Sequence, residues 1–309
     1  MRRLPLLCLL AACGGGAPPP PPSPTAGAGG QVARGAPVVL SSARVNGTTL
    51  AYRVVGDSGT PVVFVHGSLG DVRDWDAQIA AFAQAHRVLV YSRRYHPPNA
   101  ARDDSQTYSP MLHADDLTAL LLSLELAPAH IVGADYGAYT ALVLAREHPE
   151  VVRSLVLAEP PLVPFLTHTQ TGDALRRDYY ATVLDPARAA FSHGDSLGAL
   201  RAFVPGFDVL PASTKAVLLR RTFELRREMV ASREQYLPVV TCAELGSMHT
   251  SVLLLSGARS TPMFRAITDE LGRCLSNDTT AVIPSAGHAM QRDQPPYYNA
   301  VVLRFLATH

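Results

Sequence analysis

The strongest constraint on this chain is the stretch 131–142, and within it Gly133-Ala134-Asp135-Tyr136-Gly137. Residues 129–132 form a short apolar run that predicts a buried strand, and 138–147 carry the apolar spacing of a helix. A strand that turns into a helix over so few residues needs small neighbours, because the two backbones must approach closely; Gly133 and Gly137 supply them. This is the layout of a nucleophile elbow, Gly-x-Ser-x-Gly, with a carboxylate in the serine's place. The side chain at such an apex projects above the edge of the sheet. A serine there must lose a proton before it attacks, whereas an aspartate at neutral pH is already an anion.

The rest of the chain reads as an α/β fold built around that turn. Asn46-Gly47 between the runs 38–45 and 48–55 is a hairpin signal. Apolar runs at 61–65, 87–91, 152–158, 251–255 and 279–283 alternate with helical patterns at 75–85, 110–126, 263–275 and 296–307. That alternation predicts a mostly parallel central sheet with helices on both faces and an antiparallel hairpin at its start. Residues 162–246 lack strand alternation and hold amphipathic stretches at 173–183, 196–203 and 213–232. We read them as an inserted helical cap, which begins directly after a strand end, where open α/β sheets place ligands.

The first 36 residues have a different composition. Arg2 and Arg3 precede an apolar run, 4–10, too short to cross a bilayer and shaped like a signal peptide. Leu10-Ala11-Ala12-Cys13 resembles the lipobox of bacterial lipoproteins. That resemblance implies removal of residues 1–12, a lipid on Cys13, export, and anchoring at the periplasmic or outer-membrane face of a bacterial membrane. An ordinary secretory signal with an incidental cysteine is the alternative. Residues 13–36, rich in Gly, Ala and Pro, bury nothing and act as a tether. Residues 37–309 suit one domain. A net charge of +1 provides no field for nucleic acid. Outside the signal region stand Cys242 and Cys274, which in an exported protein are either a disulfide or two separate small apolar residues. There is no Cys/His cluster, His-Glu-x-x-His or Cys-x-x-Cys, so neither a metal nor a cofactor is expected.

Four motifs follow one another: His66-Gly67-Ser68 after the third strand, the turn at 133–137, Leu157-Ala158-Glu159-Pro160-Pro161, and Gly287-His288. In these motifs and their order (nucleophile, acid, histidine) the chain resembles the α/β-hydrolase superfamily from about residue 38 onward. The resemblance implies Asp135 as nucleophile, His288 on the loop after the last strand as base, and the backbone N–H groups of Ser68 and Tyr136 as an oxyanion hole. Of the eleven histidines, His66 is the main competitor of His288; beside the oxyanion loop it more often holds the turn by hydrogen bonds. The acid is less obvious, because residues 257–262 contain no carboxylate. Glu159, at the end of the preceding strand, matches the haloalkane dehalogenases that keep a glutamate there. Asp269 is a distant fallback, and a capping or hinge carboxylate at the cap boundary is the alternative for Glu159.

The nucleophile narrows the reaction. An aspartate that attacks a carbonyl gives a high-energy anhydride, but attack on saturated carbon gives an ordinary ester, which water activated by His288 can split. We therefore expect a small apolar electrophile, most simply an epoxide hydrolysed to a diol, with water as the second reactant. Halide release needs N–H donors, and haloalkane dehalogenases place a tryptophan after the nucleophile. This chain has Tyr136 there and one tryptophan in all, Trp75. An epoxide oxygen needs an acidic O–H, which epoxide hydrolases take from cap tyrosines; Tyr179, Tyr180 and Tyr236 are the candidates, each with helix packing as its plainer reading. His66 and Trp75 complete the candidate pocket. Leu69 departs from the His-Gly-x-Pro usual in epoxide hydrolases. Three other readings stay open: a haloalkane dehalogenase, a carboxylic-ester hydrolase, and a catalytically silent, membrane-tethered small-molecule-binding protein.

Overall fold

The computed structural model describes residues 39–101 and 104–309. The expected signal peptide 1–12, the lipidation candidate Cys13 and the tether 13–36 lie outside them. Eight strands pair into one sheet: β1 Ser41–Val45, β2 Thr48–Val55, β3 Pro61–Val65, β4 Arg87–Tyr91, β5 Ala129–Ala134, β6 Val152–Ala158, β7 Ser251–Gly257 and β8 Asp278–Ile283. Their spatial order is β1-β2-β4-β3-β5-β6-β7-β8. The first hairpin and its junction with β4 are antiparallel, and every other pairing is parallel. Asn46 and Gly47 turn that hairpin with φ of 43° and 75°, the left-handed pair that a two-residue hairpin loop demands.

Helices cover both faces. In chain order they are α1 Asp76–Phe82, α2 Pro110–Ser123 and α3 Tyr136–Glu147; then, between β6 and β7, α4 Gln170–Tyr179, α5 Asp185–Ser192, α6 Ser196–Phe203, α7 Ala212–Arg220, α8 Thr222–Val230, α9 Arg233–Tyr236 and α10 Cys242–Gly246; and last α11 Pro262–Cys274, α12 Met290–Asp293 and α13 Pro295–Leu306. Side chains alternate across each strand. In β3, Val63 and Val65 join the core under α2, α3 and the cap, while Val62 and Phe64 join the one under α1 and α13. Burial on both faces is why the central strands read as unbroken apolar runs rather than as alternation.

Two departures from the sequence reading bear on function. The stretch 213–232 is two helices, broken at Arg221, whose guanidinium reaches down to the Leu69 carbonyl at 2.5 Å and to the Asp71 carboxylate. The contact ties the cap to the loop after β3. The two cysteines left open by the sequence are joined: Cys242 of α10 and Cys274 of α11 form a disulfide with Cα atoms 5.0 Å apart.

Candidate active site

At the C-terminal end of β5 the chain reverses at a single residue. Asp135 adopts φ 53° and ψ −128°, a strained conformation for a residue with a side chain. Hydrogen bonds from its N–H to the Ala158 carbonyl at 2.9 Å, and to its own carbonyl from the Ala138 and Tyr139 N–H groups, hold it there. A methyl on Gly133 would lie 2.6 Å from the Cα of Ala138, and one on Gly137 would run into the β3 carbonyls of Val65 and His66. The glycines are therefore a packing requirement of the turn, not only a conformational one. The helix begins at Tyr136, two residues earlier than its apolar pattern suggests, so Asp135 stands at its N-cap position.

The two carboxylate oxygens have different partners. Oδ2 accepts the Ser68 N–H at 2.9 Å, and the neighbouring Tyr136 N–H also favours the charged carboxylate. Oδ1 faces His288 Nε2 at 3.5 Å. The other imidazole nitrogen, Nδ1, lies 2.7 Å from Glu159 Oε2, and Glu159 Oε1 accepts the Gly257 N–H at 2.8 Å. Glu159 is fully buried at the end of β6 with φ 48°. Asp135 and His288 are 24% and 37% exposed, enough for a small molecule and water to reach them. The Phe264 ring stacks on the His288 imidazole with centroids 4.1 Å apart.

Electrostatics match this arrangement. Burial pushes the Asp135 carboxyl upward, but the hydrogen bond and charge of His288, with the Ser68 and Tyr136 N–H groups, outweigh it and hold the carboxyl below its ordinary range. Burial likewise disfavours charge on His288, yet hydrogen bonds and charges from Asp135 and Glu159 overcome it and push the imidazole up to about 9. The resting site is thus an imidazolium between two carboxylates.

The structure brings Asp135, His288, Glu159, Ser68 and Tyr136 together, and it separates others from them. His66 is a correction as a pocket residue. Fully buried, it points Nδ1 at the Gly67 carbonyl at 2.9 Å and accepts the Arg93 N–H on Nε2 at 3.0 Å, holding the turn. Trp75 is a second correction; it packs on Phe64, centroids 4.8 Å apart, and near Tyr298 in the core under α1 and α13. Tyr180 is a third: its ring lies between the guanidiniums of Arg176 and Arg233, 5.4 and 4.6 Å from its centroid. Tyr179 and Tyr236 do feel the charge of Asp135, and burial, the larger effect, keeps both phenols protonated. The Tyr236 ring stacks on Tyr136 at 5.0 Å and 7°. Asp269 is exposed on α11.

Sequence reasoning missed one group. From the cap, Glu228 of α8 accepts the Ser68 hydroxyl at 2.9 Å, the Tyr108 hydroxyl at 2.8 Å and the Tyr236 hydroxyl at 3.2 Å. Glu224, one turn earlier, is buried beside it. Two glutamates four apart on an amphipathic helix read as a solvated face, and only the tertiary fold reveals them as buried.

A family profile described as alpha/beta hydrolase fold matches residues 60–295. Among curated proteins, the uncharacterized hydrolase YraK of Bacillus subtilis is 32% identical over 123 residues, which span 40% of this chain and 45% of that protein. The sn-1-specific diacylglycerol lipase ABHD11 of Mus musculus is 26% identical over 287 residues, 88% of this chain and 92% of that protein. Among solved structures, carboxylesterase CesB (YbfK) of Bacillus subtilis superposes with a TM-score of 0.66 at 20% identity, over 88% of this chain and 92% of that one.

Proposed function

The chain belongs to the alpha/beta hydrolase fold family, and from that premise we propose that it is a hydrolase working through a covalent ester on Asp135, with epoxides as substrates and diols as products. One observation carries the reading: the unequal partners of the two Asp135 oxygens. Oδ1, which faces only His288 Nε2, is the nucleophile. It attacks an epoxide carbon, the C–O bond opens, and an alkyl-enzyme ester forms. Oδ2 already accepts the Ser68 N–H, one of the donors that a tetrahedral oxyanion needs, so that donor does not have to move when water attacks the ester carbonyl.

The histidine fits the second step. In the ester Asp135 no longer carries a charge, so one of the two carboxylates that raise the His288 pKa is gone, the imidazolium releases its proton to solvent, and the neutral imidazole becomes available as a base. Glu159 retains it by Nδ1 with Nε2 toward the water.

Two alternatives are weaker. A dehalogenase would need N–H donors on the leaving halide, but Tyr136 donates its hydroxyl to the Tyr236 carbonyl at 2.9 Å and Trp75 faces another core. A carboxylic-ester hydrolase is favoured by the names of ABHD11 and CesB; on that reading Asp135 and His288 would activate water directly. The test is a panel of styrene oxide, 1-bromobutane and p-nitrophenyl butyrate, run on wild type and Asp135→Asn. Diol formation lost in the variant supports the proposal. Rapid ester cleavage that survives Asp135→Asn overturns it, and ligand affinity without turnover would favour the silent binding protein.

We also propose lipid anchoring through Cys13. Palmitate labelling of the expressed protein that vanishes in Cys13→Ala supports it, and equal labelling overturns it. Among the described residues no helix is long and apolar enough to cross a membrane.

A further inference from the structure

Behind the oxyanion loop lies a buried ionisable cluster that the chemistry above leaves unused. Glu224 and Glu228 are 1% and 0% exposed, and His96 and Arg93 beside them are 0% and 1%. One ligand atom each from His96, Glu224 and Glu228 falls within 4.8 Å of the others. Among the described residues neither oxygen of Glu224 has a hydrogen-bond partner meeting ordinary geometry. Its Oε2 instead faces His96 Nε2 at 3.4 Å. His96 Nδ1 is 2.9 Å from the Gly70 carbonyl and therefore carries the ring proton, which leaves Nε2 as an acceptor. The Tyr108 hydroxyl also lies 3.4 Å from His96 Nε2 but gives its proton to Glu228, so acceptors face one another in a dry site and a proton on Glu224 satisfies them.

Charge balance gives the same count. Arg93 is permanently cationic; it donates to the Tyr108 hydroxyl at 2.9 Å and to the carbonyls of His66 and Gly67. The other groups around the pair are His96, Tyr108, Tyr136, Tyr179, Tyr236 and, beyond Ser68, Asp135, with His66 and His113 packed against His96. Burial keeps the three histidines neutral, His66 down to about 3. One carboxylate neutralises Arg93, and a second would be an uncompensated buried anion. A dication on the same atoms would leave an excess of positive charge instead. Burial and the Glu228 charge accordingly hold Glu224 well above the usual carboxyl range, with the Leu69 N–H easing it slightly.

Resting on the Asp135 reading, we propose that Glu224 and Glu228 share one proton and deliver it, through the Ser68 and Tyr236 hydroxyls, to the oxygen that leaves carbon when Asp135 attacks. The hydroxyls that bond Glu228 Oε2 are the link: Ser68, whose N–H holds Asp135, and Tyr236, stacked on Tyr136. A phenol held above its ordinary pKa is a reluctant acid, and a protonated carboxyl behind it removes that deficit. The step balances. Asp135 Oδ1 forms a bond to carbon and the C–O electron pair stays on oxygen. That oxygen takes a hydroxyl proton, and the hydroxyl takes the shared proton of the pair. Once the ester has removed the Asp135 charge, His288 gives its own proton to solvent; it then takes a proton from the attacking water and passes it to the departing alcohol oxygen of the ester. The proton left on the Asp135 carboxyl returns to the pair, and His288 regains a proton from solvent as the Asp135 charge is restored.

The test uses the full chain and Glu224→Gln, which keeps an N–H donor toward Glu228 but has no proton to give. Infrared spectra at pH 7 should show a protonated-carboxyl C=O band that the variant lacks. No such band, or a stoichiometric bound Zn²⁺ or Mn²⁺ lost in the variant, overturns the proposal. Formation of the Asp135 ester is then timed by mass spectrometry with styrene oxide, whose oxygen needs a proton, and with 1-bromobutane, whose bromide does not. Glu224→Gln should slow the first by about 100-fold or more, change the second less than threefold, and remove the alkaline fall in rate that wild type shows with the epoxide alone. Equal losses on both substrates, or an unchanged epoxide profile, overturn the role of the pair. A band without an adduct from either substrate overturns the Asp135 reading, and with it the pair's role as acid.

Discussion

Ser68 donates its main-chain N–H to Asp135 Oδ2 at 2.9 Å, so the loop after β3 grips the Asp135 carboxylate rather than standing empty beside it. In a serine enzyme this donor waits for an oxyanion that exists only in the transition state. Here it acts on the ground state, orienting the carboxylate and lowering its proton affinity. The same residue's hydroxyl reaches Glu228 on the cap, so loop, elbow and cap meet at one side chain.

That grip is tight enough to be tested at its neighbour. A methyl on Gly67 would lie 2.6 Å from Asp135 Oδ2 and 2.7 Å from its Cβ. We expect Gly67→Ala to displace the loop, destabilise the fold by about 1–3 kcal/mol and cut turnover by roughly 100-fold, the order of loss of one oxyanion donor. Urea unfolding monitored by circular dichroism, with kcat measured in parallel, checks both. Full activity would show that the Ser68 contact is dispensable.

His288 and Glu159 should separate the two half-reactions. His288→Asn removes the base for the water but not the nucleophile, so a substrate adduct should accumulate on the peptide containing Asp135, visible by mass spectrometry. Glu159→Gln keeps the imidazole but weakens its hold on the Nδ1 proton; by analogy with other triads turnover should fall by about 10³- to 10⁴-fold. Most of that loss should appear in ester hydrolysis, giving a burst of alkylation followed by a slow steady state. A loss confined to alkylation would contradict these roles.

The legibility of this site varies with the locality of its parts. Asp135, Ser68, Tyr136 and His288 stand beside glycines at strand ends, so sequence patterns locate them and the structure gathers them within hydrogen-bond reach. Glu159 was legible because β6 ends there and residues 257–262 hold no carboxylate; the Gly257 N–H turns out to bond Glu159 instead. Trp75 misled because an aromatic residue after the first oxyanion motif has no local mark of which core it enters. The cap was read as helices but not in detail: the break at Arg221 and the inward turn of Glu224 and Glu228 depend on contacts more than a hundred residues away in sequence. Periodicity carries no information about those.

Reduction of the Cys242–Cys274 disulfide offers a test of the tie between α10 and α11. The bridge spans 32 positions, so the chain-entropy model assigns it about 3–4 kcal/mol. Cys242→Ser with Cys274→Ser should lower stability by that amount in oxidising buffer, and added dithiothreitol should then have no further effect. Because neither cysteine approaches the triad through any hydrogen bond or ring contact among the described residues, kcat at 25 °C should stay within about twofold of wild type.

The pH dependence of stability should report the imidazolium between its two carboxylates. The folded-state pKa of His288, about 9, lies above the ordinary imidazole value of 6.5. The group therefore contributes stability that is fully present below pH 6.5 and is lost as pH rises through 9. Asp135 has the opposite sign: its folded value is depressed below 3.8, so its contribution is present above that value and lost as pH falls through the depressed one. Melting temperature should thus decline between pH 7 and 9.5. In Asp135→Asn one of the two anions that raise His288 becomes neutral, so the decline should be shallower and shifted to lower pH. Solvent at the 37% exposed imidazole screens the effect, which makes the difference in slope between the two proteins the decisive reading. Identical slopes would mean that Asp135 and His288 are not electrostatically coupled, and the mechanism would lose its base.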